Sequence, residues 1–218
     1  MTHGDVDDLL LGADIEPYRT TWDALGDLPD RPNDLSLRMT GKWANLLPSI
    51  PEGENYLWHT PRGGGMPLFG WRTRYWSFLL KLAKNRPAWT IQAQPGPATG
   101  PFHWTNRKLS SQELCWLQTF PDEMQFDCGR NDVQRMLGNA VPSLVAEVIA
   151  RAIRTQLLGR SMKSAKLRLL PQLRDPMPPP ERILRVPDIY HSLAGEHADH
   201  PGEGLGNRAR QRAESEAA

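Results

Sequence analysis

The sequence predicts an α+β chain, with a loop-rich middle that carries short strands and helices toward its C-terminal side. Three observations predict it. Apolar residues at helical spacing are confined to a brief stretch near Thr21 and to residues 107–159. Between them the chain breaks into short pieces at PSIPEGEN, PRGGGMP and QPGPATGP, where proline and glycine interrupt any long periodic run. Twenty prolines and 18 glycines in 218 residues exceed what a compact helical domain needs, while 39% apolar residues can build a real core.

The elements follow in chain order. TTWDALGDLP offers Thr20 or Thr21 as the N-cap of a short helix that ends before Pro29. From Asp30 to Asn106 only WSFLLKLAK has a helix-like pattern, and AWTIQA reads as a short strand. RKLSSQELCWLQTFPD then specifies a helix. Ser110 and Glu113 form a capping box, Leu109 and Leu114 a hydrophobic staple, and Leu114, Leu117 and Phe120 a stripe that Pro121 brings to an end at Phe120. Cys115 falls off that stripe. FDCGRNDVQ reads as a polar turn. In RMLGNAVPSLVAEVIARAIRTQLLG a Gly-Asn turn feeds a helix with Pro142 in its first turn, and Leu144, Val145, Val148, Ile149, Ile153 and Leu157 share one broad apolar face. Residues 160–218 are basic, then proline-rich, then polar, a composition that predicts disorder apart from a weak contact through IYHSL.

A net charge of +1 hides a strong asymmetry. Residues 1–30 hold eight acids against Arg19 alone. Residues 55–112 hold no acid, eight cations and five of the eight tryptophans. A basic block interleaved with aromatics fits a surface that meets phosphates and bases. Two cysteines cannot form a disulfide framework or a four-thiolate metal site, and His59 and His103 read as packing residues rather than metal ligands. No apolar run reaches the length of a membrane span and the start is acidic, so the expected location is a reducing cytoplasm, away from membranes.

RKLSSQELCWLQTFPD followed by LGNAVPSLVAEVIARAI resembles the last two conserved motifs of the DNA (cytosine-5) methyltransferases, in their usual order. TTWDALGDLP looks like the segment after that family's Gln-x-Arg-x-Arg motif. RPAWTIQAQPGPATGPFHWTNR looks like the end of its target recognition domain, with Thr90-Ile91 for the usual Thr-Leu. The likeness covers roughly residues 17–158. Trp116 stands where an Arg commonly precedes Leu-Gln, and Met136 where a Gln commonly sits. The Pro-Cys nucleophile, the Glu-Asn-Val motif and the glycine-rich loop for S-adenosylmethionine have no counterpart in the sequence, so no catalytic residue is assigned.

The resemblance implies an acidic leading segment at 1–30, a target recognition domain at 31–106 and motif helices at 107–159. Those helices would pack on an α/β, Rossmann-like, S-adenosylmethionine-dependent methyltransferase domain. It implies duplex DNA as substrate, a restriction–modification type system, and a catalytic subunit or amino-terminal half as partner. Asn139, Ala140 and Val141 would lie beside the cofactor. Base flipping needs a second lobe that grips the duplex. For that lobe the candidates are Arg72 and Arg74 among Trp71, Tyr75 and Trp76, the loop Gly63, Gly64 and Gly65, and Arg62, Lys81, Lys84, Thr90, His103 and Arg107. The alternative is a stand-alone DNA-binding module or an inactive gene fragment.

Overall fold

The computed structural model describes residues 17–30, 34–72, 75–162, 164, 166–195 and 197. Arg74 and most of the acidic leading segment lie outside them. Helix α1 (Thr21–Leu25) opens with a capping box: Asp23 N donates to Thr20 Oγ1 and Thr20 N to Asp23 Oδ2. The first two amides of α1 donate to the carbonyls of Arg86 and Lys84 at 2.8 and 3.0 Å, which pins the helix to the acid-free segment.

Helix α2 (Ser111–Leu117) carries the predicted capping box of Ser110 and Glu113. It stops at Leu117 rather than Phe120, because Thr119 turns left-handed at φ 55° and the amides of Gln118 and Phe120 both reach Cys115 O. Cys115, expected off the stripe, is buried with Leu109 and Leu114.

Helix α3 (Arg130–Asn139) replaces both the polar turn and the Gly-Asn turn. Val133 and Leu137, one turn apart, bury its inner edge. Gly138 is required by close approach: a Cβ there would lie 2.4 Å from Ala93 N and 2.5 Å from Ala93 Cα. Both are backbone atoms and neither can swing aside. Gly138→Ala should therefore separate α3 from residues 92–93 and destabilise the chain by about 2–3 kcal/mol despite alanine's better helix propensity. An unchanged urea midpoint would count against this packing.

Helix α4 (Ser143–Ala152) continues through a π-helical turn, Ile153–Leu157, and Pro142 takes its N-cap position rather than its first turn. The end of α2 holds its start: Ser143 N donates to Gln118 O at 3.0 Å and Leu144 N to Thr119 Oγ1 at 2.8 Å.

The expected short strands do not form among the described residues. AWTIQA pairs with no neighbour, and WSFLLKLAK is not helical. In their place stand isolated bridges, Arg38 with Arg107, Phe78 with Thr99, and Lys81 with Phe102, together with 3-10 turns at Leu35–Leu37, Ala44–Ser49, Tyr56–His59 and Asp188–Leu193. Frequent proline and glycine keep these pieces too short for a ladder.

Two apolar clusters organise the chain. One gathers Leu46, Leu47, Ile50, Tyr56, Leu68, Leu79 and Phe102. The other gathers Leu25, Leu82, Ile91, Trp104, Leu109, Leu114, Val133 and Leu137. The bridged segments 79–82 and 102–104 contribute to both, so the pair Lys81–Phe102 is the seam between them. The second cluster thus joins residues on both sides of the boundary expected at 106.

The tail departs from the predicted disorder over residues 166–195. Arg174 N donates to Asp23 Oδ1 and Arg174 Nε to Asp23 O, both at 2.8 Å. Leu184 N donates to Pro48 O at 3.0 Å, and Val186 is buried in the first cluster. Tyr190 stacks on Trp43 with ring centroids 5.8 Å apart and donates its hydroxyl to Lys42 O at 2.6 Å. Few apolar residues suffice, because each meets a ready-made site on the body.

Candidate nucleic-acid interface and partner face

The acid-free segment divides into cations that face solvent and cations that hold the interior. Arg72 is exposed, with its guanidinium 5.9 Å from the Tyr75 ring, and its carbonyl accepts from Tyr56 Oη at 2.8 Å. Arg72 edges a cavity of about 300 Å³ whose walls include Trp43, Tyr56, Phe69, Tyr75 and Phe78. Arg62 lies over the Trp71 ring at 4.1 Å. Thr90 and its neighbour Trp89 are exposed, as is Trp76. These are the aromatic and cationic groups of the segment that face solvent. Arg74 falls outside the described residues.

Gly63, Gly64 and Gly65 have a more local explanation than approach to a groove. A Cβ on Gly63 would lie 2.3 Å from the carbonyls of Leu57 and Trp58, one on Gly64 2.5 Å from the Trp58 ring, and one on Gly65 2.5 Å from its Nε1. The loop folds over Trp58, and only glycine fits.

Lys81, Lys84, His103 and Arg107, expected on a DNA surface, are each at most 5% exposed and in this chain hold the interior. Lys84 Nζ pairs with Glu52 at 2.6 Å and with Glu181 of the tail at 2.9 Å, and donates to Pro179 O at 3.1 Å. Burial pulls the Lys81 ammonium down to about 8, with Glu52 and Glu181 opposing the shift. Arg107 makes a two-pronged pair with Glu113 at 2.8 and 2.7 Å and reaches Asp30 at 3.2 Å. Glu113 is also the capping acid of α2, so one carboxylate closes the helix start and neutralises a buried guanidinium. Burial drives the Glu113 carboxyl up, but Arg107, His103 and Ser110 N–H outweigh it and hold the group below its ordinary range.

His103 is neutral at pH 7, because burial and then Arg107 lower it to about 4. Its Nδ1 accepts from Thr105 N at 3.2 Å, so the ring proton sits on Nε2, 3.7 Å from Glu113. Lowered likewise by burial, His59 bridges Ser49 Oγ at 2.8 Å and Met66 O at 2.9 Å. The carbonyl can only accept, so Nδ1 carries the proton and Nε2 meets the Ser49 hydroxyl. Both histidines are structural, and no group of three potential metal ligands occurs among the described residues. Burial raises the Cys115 thiol, so it rests protonated and unreactive. Cys115→Ser should leave any methyl transfer intact; its loss in a folded variant would contradict this.

Asn139, the last residue of α3, and Val141, on the extended step that follows, are both exposed, Val141 at 62%. Beyond them α4 has two unlike faces. On one, Glu147 pairs with Arg151 at 2.6 Å and accepts from Arg168 N and Leu169 N, so the tail covers it. On the other, Val145, Val148, Ile149 and Ile153 stand open, Ile149 at 53%. The stretch Arg130–Leu157 is long and apolar enough on average to cross a membrane, contrary to the expectation from runs of apolar residues. It is interrupted at Ala140–Pro142 and carries Glu147 and Arg151 on its polar side. The aromatic walls at Trp43, Tyr56, Phe69 and Phe78 went unassigned from sequence. Their density around the basic block was the available signal.

Residues 49–155 match the family model of the C-5 cytosine-specific DNA methylases. The chain is 44% identical over 151 residues to the type II methyltransferase M.SacI of Streptomyces achromogenes, covering 65% of this chain and 38% of that one. It is 31% identical over 140 residues to the type II methyltransferase M.BbvI of Brevibacillus brevis, covering 63% and 37%. Over 70 residues it is 34% identical to the DNA (cytosine-5-)-methyltransferase M.ApeKI of Aeropyrum pernix, covering 31% and 15%. The chain thus spans less than two fifths of the length of these relatives. No solved structure matches it.

Proposed function

We propose that this chain is the target-recognition and domain-closing part of a DNA (cytosine-5-)-methyltransferase of a restriction–modification type system, acting in the cytoplasm. The complete enzyme transfers a methyl group from S-adenosylmethionine to C5 of cytosine in duplex DNA. The uncovered apolar face of α4 carries the reading: a chain with two closed cores has no use for it unless another body completes the fold. That body is a catalytic methyltransferase half rather than a lipid bilayer, because the same helix leads directly from the Asn139–Val141 step. The Pro-Cys nucleophile, absent from this sequence, would come from it.

Asn139 and Val141 fit one edge of an S-adenosylmethionine site, offering an exposed amide beside an exposed apolar side chain. The cofactor supplies the methyl group when bound. Arg72, Arg62 and the aromatic surface around them grip the duplex, and burial of α4 holds that surface in register with the reacting base. Co-expression with a methyltransferase amino-terminal chain bearing Pro-Cys and Glu-Asn-Val motifs tests the reading. Co-purification and transfer of labelled methyl to duplex DNA are expected. Absence of both would favour a stand-alone DNA-binding module.

A further inference from the structure

We propose that Lys108 and Arg130 form a phosphodiester site, in the pocket between the 95–102 turn and the first turn of α3, that anchors the duplex backbone. The inference rests on the DNA-binding reading above and adds two cations that the resemblance did not supply.

The pocket holds about 180 Å³, room for several waters at roughly 30 Å³ each or for one hydrated tetrahedral anion. Its lining contains Lys108, Arg130, Thr99 and Asn131 and no acid. Three of its walls are prolines, Pro95, Pro97 and Pro101, which give it shape without bringing amide donors. Arg130 is half-buried, and Nε donates to Leu109 O, which fixes the plane of the guanidinium. Among the described residues that is its only hydrogen bond, and neither Arg130 nor the Lys108 ammonium has an ion-pair partner. The contrast with the interior cations is sharp. Lys84 and Arg107 are each matched by two carboxylates, whereas the cavity lined by Lys108 and Arg130 contains none. Burial pulls the Arg130 guanidinium down from its ordinary value, and the nearby Glu113 carboxylate opposes the shift.

The location argues for nucleic acid as the source of the anion. Phe78 lines the aromatic cavity beside Arg72, Thr99 lines this pocket, and the two residues form a bridge. The two sites therefore flank one seam, and a backbone gripped at both would run across the 95–99 turn. An arginine with a fixed plane and a lysine together suit a tetrahedral anion with several acceptor oxygens.

The test uses the full chain and duplex DNA, with affinity followed by anisotropy across a salt series. Lys108→Gln and Arg130→Gln should each flatten the slope of log K against log salt by about 0.9, and weaken binding alike on unrelated sequences. Arg130→Lys, which keeps the charge and loses the Leu109 bond, should restore most of the slope. A parallel titration with inorganic phosphate should shift the Arg130 Nε–H resonance, and chloride at equal ionic strength should not. Unchanged slopes in both Gln variants, with wild-type binding intact, would overturn this site and leave the proposed function standing. If wild type ignores duplex DNA yet phosphate shifts Arg130, the pocket takes a free anion and the nucleic-acid assignment is overturned. Equal shifts with chloride would show a general ionic effect and overturn the phosphodiester site.

Discussion

Val148→Asp combined with Ile149→Asp will abolish co-purification with a catalytic methyltransferase chain, and methyl transfer with it. Both side chains are about half exposed in this chain, so the free protein keeps its fold and its affinity for duplex DNA. In the complex the two carboxylates would be buried without partners at the centre of an apolar contact. Each loss at such a position costs about 2 kcal/mol or more, so the pair should weaken association by at least about 100-fold. The measurement is a pull-down with the partner chain alongside a salt-dependent DNA titration of the variant alone. Retained association would mean that α4 is not the contact, and a parallel loss of DNA binding would mean that the variant had unfolded.

Glu113→Ala will cause the largest loss of stability of any single change considered. It removes the capping acid of α2 and both prongs of the Arg107 pair, leaving a buried guanidinium with Asp30 alone. Breaking a buried pair from one side costs about 3–5 kcal/mol, which for a chain of this size lowers Tm by roughly 10 °C. Thermal unfolding at pH 7 would reveal it, and a shift of a degree or two would show the Arg107 network to be dispensable. The same network makes the fold acid-sensitive. His103 titrates near 4 when folded and near 6.5 when unfolded, so between those values the unfolded chain binds the extra proton. Stability is therefore full above pH 6.5 and falls by as much as roughly 3 kcal/mol on acidification toward 4. Glu113, held low, adds its own loss as pH drops further through its folded value. His103→Gln should flatten the first of these two phases.

What could be read from the sequence was local. The capping box of α2 was legible because Ser110 and Glu113 act within one turn, and their chemistry needs no distant partner. Helix α3 was not, because Val133 and Leu137 are its only buried apolar residues and most of the others are polar. The cations failed in an instructive way. Lys84 sits in an acid-free run and looks outward-facing, yet its carboxylates lie 32 residues before it and 97 after it. Counting charge within a window cannot find a counter-ion at that range. Arg72, beside the Tyr75 ring, and Arg62, over the Trp71 ring, stayed on the surface where the aromatic, basic composition placed them. Most of the tail escaped recognition for the same reason as Lys84: Arg174 and Glu181 fit sites built by other parts of the chain, and only the contact through IYHSL, which holds Tyr190, was read from sequence.

That tail also bears on the order in which the protein takes shape on the ribosome. Tyr190 closes onto Lys42 across 148 residues, and Arg174 onto Asp23 across 151. Contacts of such long range form late and slowly. While translation is under way, Trp43 lacks its stacking partner and Lys84 lacks Glu181. The nascent body therefore waits, incompletely closed, until residues 174–190 emerge. Messages cut short before codon 190 would yield a body with an open aromatic face, a natural substrate for the proteases that clear unfinished chains.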